Sequence, residues 1–187
     1  TVLVRNVVPE VFWEKQGSID SSFDSCRSTG KRFLFVGSGW ERKGLVEALN
    51  VLQRLGSGYC LTVVGQDKRI KFYQQLAQTL GVDDRVYFLG PKRMSYEAYQ
   101  HFDGLILPSI YDPFPNVICE ALIAGLPVYC SPMCGAVDFR NSAGIHICTT
   151  SAEYEVAIRE RSTPPDSNFF QNQFSESNLQ KAMETIF

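Results

Sequence analysis

Residues 105–129 read LILPSIYDPFPNVICEALIAGLPVY, and their pattern decides the architecture. The apolar run 105–107 has strand character, the proline-rich turn 108–115 interrupts it, and a helical pattern follows over 116–124. Asn116, or Pro115 just before it, is the helix start. Gly125 followed by Pro127 is the stop, and Val128, Tyr129 and Cys130 resume as a strand. This one stretch therefore supplies a strand, a crossover helix and a second strand.

It also places two carboxylates with seven residues between them, Asp112 in the turn and Glu120 on the helix. Helical side chains lean toward the N-terminus, so Glu120 is expected to face whatever binds at the turn. Unpaired N–H groups of a helix's first turn attract phosphate oxygens, and a carboxylate accepts two hydrogen bonds from vicinal hydroxyls. The segment suits a ligand carrying both phosphate and sugar hydroxyls. Spacing alone would not establish this, because chance supplies about two acidic pairs at any fixed separation in such a chain. Glu176 with Glu184 is one such pair, read as solvated residues on a terminal helix. The strand, turn and capped helix set Asp112 and Glu120 apart.

Outward from this unit, short apolar runs at 33–36, 61–64, 86–89, 128–130 and 145–148 read as strands. Segments 44–55, 70–80 and 96–101 read as helices. The alternation implies an α/β, Rossmann-like three-layer sandwich with a parallel sheet. Ligands in such sheets bind beyond the carboxyl ends of the strands, which directs attention to loops 37–43, 65–69, 90–95, 108–115 and 131–137. Residues 17–31 are polar and turn-rich, a surface loop before the first sheet strand. A capping box from Thr150 to Glu153 opens another helix, prolines within 162–167 break it, and 177–187 looks helical. The 187 residues thus form a single domain: a lead-in strand and loop at 1–31, a core at 32–150, and C-terminal helices at 151–187.

Bulk properties narrow the function. A net charge of −2 offers no overall field for a polyanion, so nucleic-acid binding is disfavoured. No run of about 18 apolar residues is present, and TVLVRNVVPE lacks the order of a secretory signal, so a soluble chain is expected. The start without Met suggests a piece of a longer protein. Six cysteines without a CxxC pair, and only two histidines, His101 and His146, argue against a zinc site. Cys60, Cys119, Cys130 and Cys148 sit in apolar runs and read as buried thiols, consistent with a reducing cytoplasm.

The first βα loop, VGSGWERKG, carries Gly37, Gly39 and Gly44, which let backbone approach a ligand closely, together with Ser38 and beside Arg42 and Lys43. That combination suits a diphosphate, although a basic turn capping a helix explains it equally well. It matches neither the Walker loop nor GxGxxG. Backbone groups around Leu89 could edge a base pocket. Lys68, Arg69, Lys92 and Arg93 read as solvated, and Asp67 and Asp138 as turn or capping residues.

Taken in order, FVGSGWERKG, LTVVGQDK, RVYFLG, DGLILPS, YDPFPNVICEALIAGLPV and the loop with Gly135 resemble the C-terminal half of a GT-B fold glycosyltransferase, over residues 32–139. Within that group they look like retaining glycosyltransferase family 4, and VGS…RKG with VVGQDK is similar to lipopolysaccharide core glucosyltransferases. The resemblance implies a nucleotide-sugar donor, UDP-hexose by preference, held by this half, with a glycan or lipid-linked acceptor on an N-terminal domain absent from this chain. It implies transfer with retention and without a metal or other cofactor, in the cytoplasm, with any contact to the inner face of the membrane made through the other domain. By position, Arg42 and Lys43 would bind the diphosphate, Asp112 would contact the donor sugar, amides of Phe114, Asn116 and Val117 would hold sugar and phosphate oxygens, and Glu120 would grip the ribose. Gly37, Ser38 and Leu89 complete the expected donor site.

Two departures accompany the match: the family usually has Glu where Asp112 stands and often Gly where Pro113 stands. Ser38 also stands where many family members have Arg, although the glucosyltransferase-like subset resembles this chain there. A binding module with decayed chemistry, or another GT-B enzyme such as a sugar-nucleotide epimerase, therefore competes with the transferase. A phosphorylase lacks a lysine placed for pyridoxal phosphate. A receiver-like domain fails because the first and third strands end without an acidic cluster.

Overall fold

A computed structural model of the chain describes residues 12, 21–25, 30–113, 115–135, 141–160 and 163–173. The six apolar runs are strands: β1 Lys31–Val36, β2 Tyr59–Val64, β3 Val86–Gly90, β4 Gly104–Leu107, β5 Val128–Cys130 and β6 Ile145–Ile147. They pair in the order β3-β2-β1-β4-β5-β6. Every pairing is parallel. Helices on both faces explain why the central strands are apolar at consecutive rather than alternate positions: every residue of β4 and β5 is buried.

Among the described residues, seven α-helices accompany the sheet: α1 Trp40–Lys43, α2 Leu45–Leu55, α3 Ile70–Thr79, α4 Tyr96–Tyr99, α5 Asn116–Ile123, α6 Ser151–Arg159 and α7 Ser167–Gln173. Right-handed crossovers put helices on opposite faces once the strand order reverses between β1 and β4. Accordingly α2 packs with α3 and α6, while α5 packs with α4 and α7. Helix α2 buries Leu45, Ala48, Leu49, Leu52 and Leu55, one stripe at helical spacing. Leu49 is fully buried, so Leu49→Ala is expected to cost about 2–5 kcal/mol in chemical denaturation.

Four local readings are corrected. The loop after β1 contains α1, a single helical turn between two left-handed glycines, Gly39 and Gly44. The loop 17–31 is not all surface: Phe23 is buried against Phe102, and Phe12 ahead of it is buried against Tyr96 and Tyr99. In the capping box, the Thr150 hydroxyl accepts from the Glu153 N–H as expected, but the Glu153 carboxylate reaches one residue further back, to the Thr149 N–H at 2.8 Å. Cys60 is disulfide-bonded rather than a thiol, whereas Cys119, Cys130, Cys134 and Cys148 are buried and free. The expected lead-in strand and the helix at 177–187 lie outside the described residues. Among the described residues, no helix is long and apolar enough to cross a membrane.

Candidate functional site at the β1–β4 switch

Neighbouring strands β1 and β4 send their following loops to opposite faces, which opens a crevice at their carboxyl ends. Trp40 anchors the loop from β1. Its indole N–H donates to the Gly37 carbonyl at 2.9 Å, its backbone N–H donates to Asp67 Oδ2 at 2.8 Å, and its ring packs on Tyr73 and Phe88. Asp67 also accepts from the Arg69 N–H at 2.8 Å, so of the turn and capping roles expected from the sequence it takes the turn. Gly37 lies along the stem of Lys43, where a Cβ would stand 3.0 Å from Lys43 Cε. Gly44 has φ 78°, and a Cβ there would meet the Pro108 carbonyl oxygen at 1.9 Å. These close approaches, more than flexibility, account for the glycines.

Three of the expected site residues converge. Lys43 Nζ donates to Asp112 Oδ2 at 2.5 Å, and Arg42 Nη1 lies 3.4 Å from the same oxygen. Arg42 also donates to the Tyr111 carbonyl at 3.0 Å, and its own carbonyl accepts from the Ile110 N–H at 2.8 Å. The Asp112 N–H donates to the Met133 carbonyl, and the Gly135 N–H donates to the Asp112 carbonyl, both at 3.1 Å. Loops after β1, β4 and β5 thus fix Asp112 in place. Asp112 is 7% exposed and Lys43 8%, so the pair is desolvated, whereas Arg42 is half exposed. A desolvated pair depends on both partners: Lys43 alone would be a costly buried charge, whereas Asp112 would keep only the more distant, half-exposed Arg42.

Glu120 sits on α5 just beyond its first turn. Its Oε2 accepts from the Tyr99 hydroxyl at 2.6 Å. Burial raises the Glu120 pKa above the ordinary carboxylate value, and the Tyr99 hydrogen bond partly offsets that rise. Burial, with the Glu120 charge beside it, pushes the Tyr99 phenol well up.

The remaining expected residues are dispersed around this centre. Ser38 accepts from the Gln66 N–H at 3.4 Å and lines a cleft of about 1040 Å³ with Gly39, Arg42, Lys68, Arg69 and Ile110. Glu120, Leu89, Asn116 and Val117 do not line that cleft. Asn116 and Val117 open α5, whose N-terminus has no side-chain cap. Leu89 is half-buried at the end of β3, and the neighbouring Gly90 carbonyl is already engaged by the Gly65 N–H at 2.9 Å. Phe114 lies outside the described residues. No group of three or more His, Cys, Asp or Glu is placed to hold a metal among the described residues.

Sequence reasoning missed Tyr99 and Trp40 as parts of this assembly. Trp40 carried a usable signal, since it is the one large apolar residue in an otherwise glycine-rich, charged loop. Tyr99 carried none, because 21 residues and a strand separate it from Glu120.

The profile of a family described as glycosyl transferases group 1 matches residues 21–157. The chain is 40% identical over 106 residues to the lipopolysaccharide glucosyltransferase WaaG of Escherichia coli, covering 54% of this chain and 28% of that one. It is 24% identical over 205 residues to the lipopolysaccharide core biosynthesis glycosyltransferase LpsD of Rhizobium meliloti, covering 96% and 60%. The chain therefore spans less than two thirds of the length of either relative. In three dimensions it is similar to Anabaena Alr3699/HepE, solved in complex with UDP and glucose, at a TM-score of 0.75 and 20% identity over 90% of this chain and 53% of that one. That likeness shows the expected fold, the C-terminal half of a GT-B architecture. With the profile match extending over most of its length, the chain belongs to the glycosyl transferases group 1 family.

Proposed function

We propose that this chain is the donor-binding domain of a retaining glycosyltransferase that moves a hexose from a nucleotide sugar, UDP-hexose by preference, to a glycan or lipid-linked acceptor. One observation carries the reading: two cations and one carboxylate, Arg42, Lys43 and Asp112, meet at the carboxyl ends of β1 and β4, where the sheet order reverses. A diphosphate needs cations there, and a sugar needs an acceptor for its hydroxyls. Support for the nucleotide comes from the Anabaena protein of similar fold, which is described with UDP and with UDP-glucose.

Asp112 neutralises the cation assigned to the diphosphate. Donor binding then exchanges partners: Lys43 and Arg42 turn to phosphate oxygens, and Asp112 turns to sugar hydroxyls. The uncapped first turn of α5 adds amide donors on the same ligand. In transfer, the acceptor hydroxyl attacks the anomeric carbon from the face the diphosphate leaves. The bond from that carbon to the diphosphate oxygen breaks, the departing diphosphate takes up the hydroxyl proton, and Arg42 and Lys43 stabilise its charge. The cations take the place of a divalent metal. The acceptor belongs to a further domain, and the reaction to the cytoplasm, where a membrane contact would fall to that other domain.

Isothermal titration of the intact protein with UDP-glucose and UDP, with EDTA present, tests the proposal. Binding that is lost in Lys43→Met supports it. Equal binding by wild type and Lys43→Met would remove its basis.

A further inference from the structure

Tyr99 joins α4 to α5 through one hydrogen bond, from its hydroxyl to Glu120 Oε2 at 2.6 Å. The tyrosine is fully buried, and its ring lies 5.9 Å from that of Phe12. Its helix is pinned at the start by Ser95, whose buried hydroxyl accepts from the Ala98 N–H. The phenol thus sits on a fixed support, whereas Glu120 is a long side chain at the edge of the core. A carboxylate offers about four lone-pair positions. Tyr99 occupies one on Oε2, and Oε1 has no hydrogen-bond partner among the described residues.

We infer that Tyr99 is the positioning residue of the nucleotide site: its hydroxyl holds one oxygen of Glu120 so that the other is presented, already oriented, to the ribose hydroxyls of the donor. The inference rests on the donor site proposed above, with Glu120 in the ribose-binding role that the family resemblance implies, and goes beyond it by naming what sets that acid's geometry. The physical reason is entropy. A free glutamate must give up rotamer freedom when it engages two vicinal hydroxyls, whereas one already tethered has little left to lose. The tether is also directional, because the burial that raises the phenol's pKa keeps its proton in place as a donor to the carboxylate.

The bland alternative is that the bond only satisfies two buried polar groups. The two accounts differ in what Tyr99→Phe does to ribose recognition. The intact protein is titrated with uridine, adenosine and guanosine diphosphates, and the tightest is then compared with its 2′-deoxy form. Wild type is expected to prefer the ribonucleotide by at least about tenfold, the scale of one hydrogen bond to a charged group. In Tyr99→Phe this preference falls to within about threefold, with ribonucleotide affinity reduced and deoxynucleotide affinity nearly unchanged. Glu120→Gln shows the same collapse, and the double variant is no worse than Glu120→Gln alone.

A wild type that binds no nucleotide, or binds both forms equally, overturns the donor-site reading itself. A wild type that discriminates and a folded Tyr99→Phe that discriminates equally overturns the role of Tyr99 alone. If Tyr99→Phe fails to fold, Ser95→Ala, which loosens the support of α4, provides the second variant. Undiminished discrimination there overturns the inference, and a reduced preference supports it.

Discussion

Lys43 Nζ lies 2.5 Å from Asp112 Oδ2, joining the turn after β1 to the loop after β4 across 69 positions of sequence. Both residues are almost excluded from solvent, so neither charge is well hydrated if the other is removed. Breaking such a pair costs about 3–5 kcal/mol, whereas replacing both partners by apolar residues of similar volume is often neutral or stabilising. Lys43→Ala is therefore expected to lower stability by about 3 kcal/mol, and Lys43→Met with Asp112→Leu to recover most of it. Urea denaturation of both variants checks this. A single variant as stable as wild type would show that the pair is solvated.

Glycine positions in the first loop separate strain from collision. A Cβ on Gly44 would meet the Pro108 carbonyl oxygen at 1.9 Å, while one on Gly39 would meet nothing within 4 Å, although both have left-handed φ values. Gly39→Ala is expected to cost about 1–2 kcal/mol for its backbone conformation alone. Gly44→Ala adds a backbone clash and should cost clearly more, with a shift of the loop carrying Asp112. Parallel denaturation curves read the difference, and equal costs would contradict the close approach of these two loops.

Much of this arrangement was legible in the sequence, and its limits have physical causes. Strand runs such as 128–130 and the Gly125, Pro127 stop are local signals, and the structure keeps them within a residue or two. The helical turn Trp40–Lys43 escaped notice because four residues cannot display an apolar period. Arg42, Lys43 and Asp112 were each picked out as candidates, but their mutual pairing depends on β1 and β4 being neighbours, a fact of strand order that no local pattern encodes. The bond between Tyr99 and Glu120 was hidden because 21 positions and a strand lie between the two residues. The Glu153 carboxylate bonding Thr149 rather than Thr150 shows the opposite case, a local motif whose final register depends on one side-chain rotamer.

Asp67 ties two βα loops together, since its two oxygens accept from the N–H groups of Trp40 and Arg69 at 2.8 Å each. Asp67→Ala is expected to cost about 1–2 kcal/mol, with Asp67→Asn retaining part of it because one amide oxygen can still accept. Thermal melts of the two variants distinguish them. Identical melts for Asp67→Ala and wild type would show that the tie is idle.

Glu120 sets a pH dependence whose sign can be stated. Burial raises its pKa in the fold above 4.5, and the groups beside it are the Tyr99 hydroxyl from α4 and the Cys119 thiol on its own helix. A carboxyl with a raised folded pKa holds its proton longer in the native state than in the unfolded chain. Its contribution to stability is greatest below the unfolded value and is lost as pH rises through the folded one. Nucleotide binding runs the other way, because gripping ribose hydroxyls needs the ionised form. Affinity should fall on acidification with a midpoint above 4.5, and that limb should vanish in Glu120→Gln and move further up in Tyr99→Phe. A profile unchanged in Glu120→Gln would assign the limb to another group.

The exchange of partners at Lys43 is tested most directly by comparing UDP with UDP-glucose on Asp112→Asn. Removing the acid's charge frees Lys43 for phosphate, so UDP is predicted to bind about three- to tenfold more tightly than to wild type, while the added affinity contributed by the glucose moiety shrinks. UDP binding unchanged or weakened in Asp112→Asn would contradict the account, because Lys43 would then never have been withheld by Asp112.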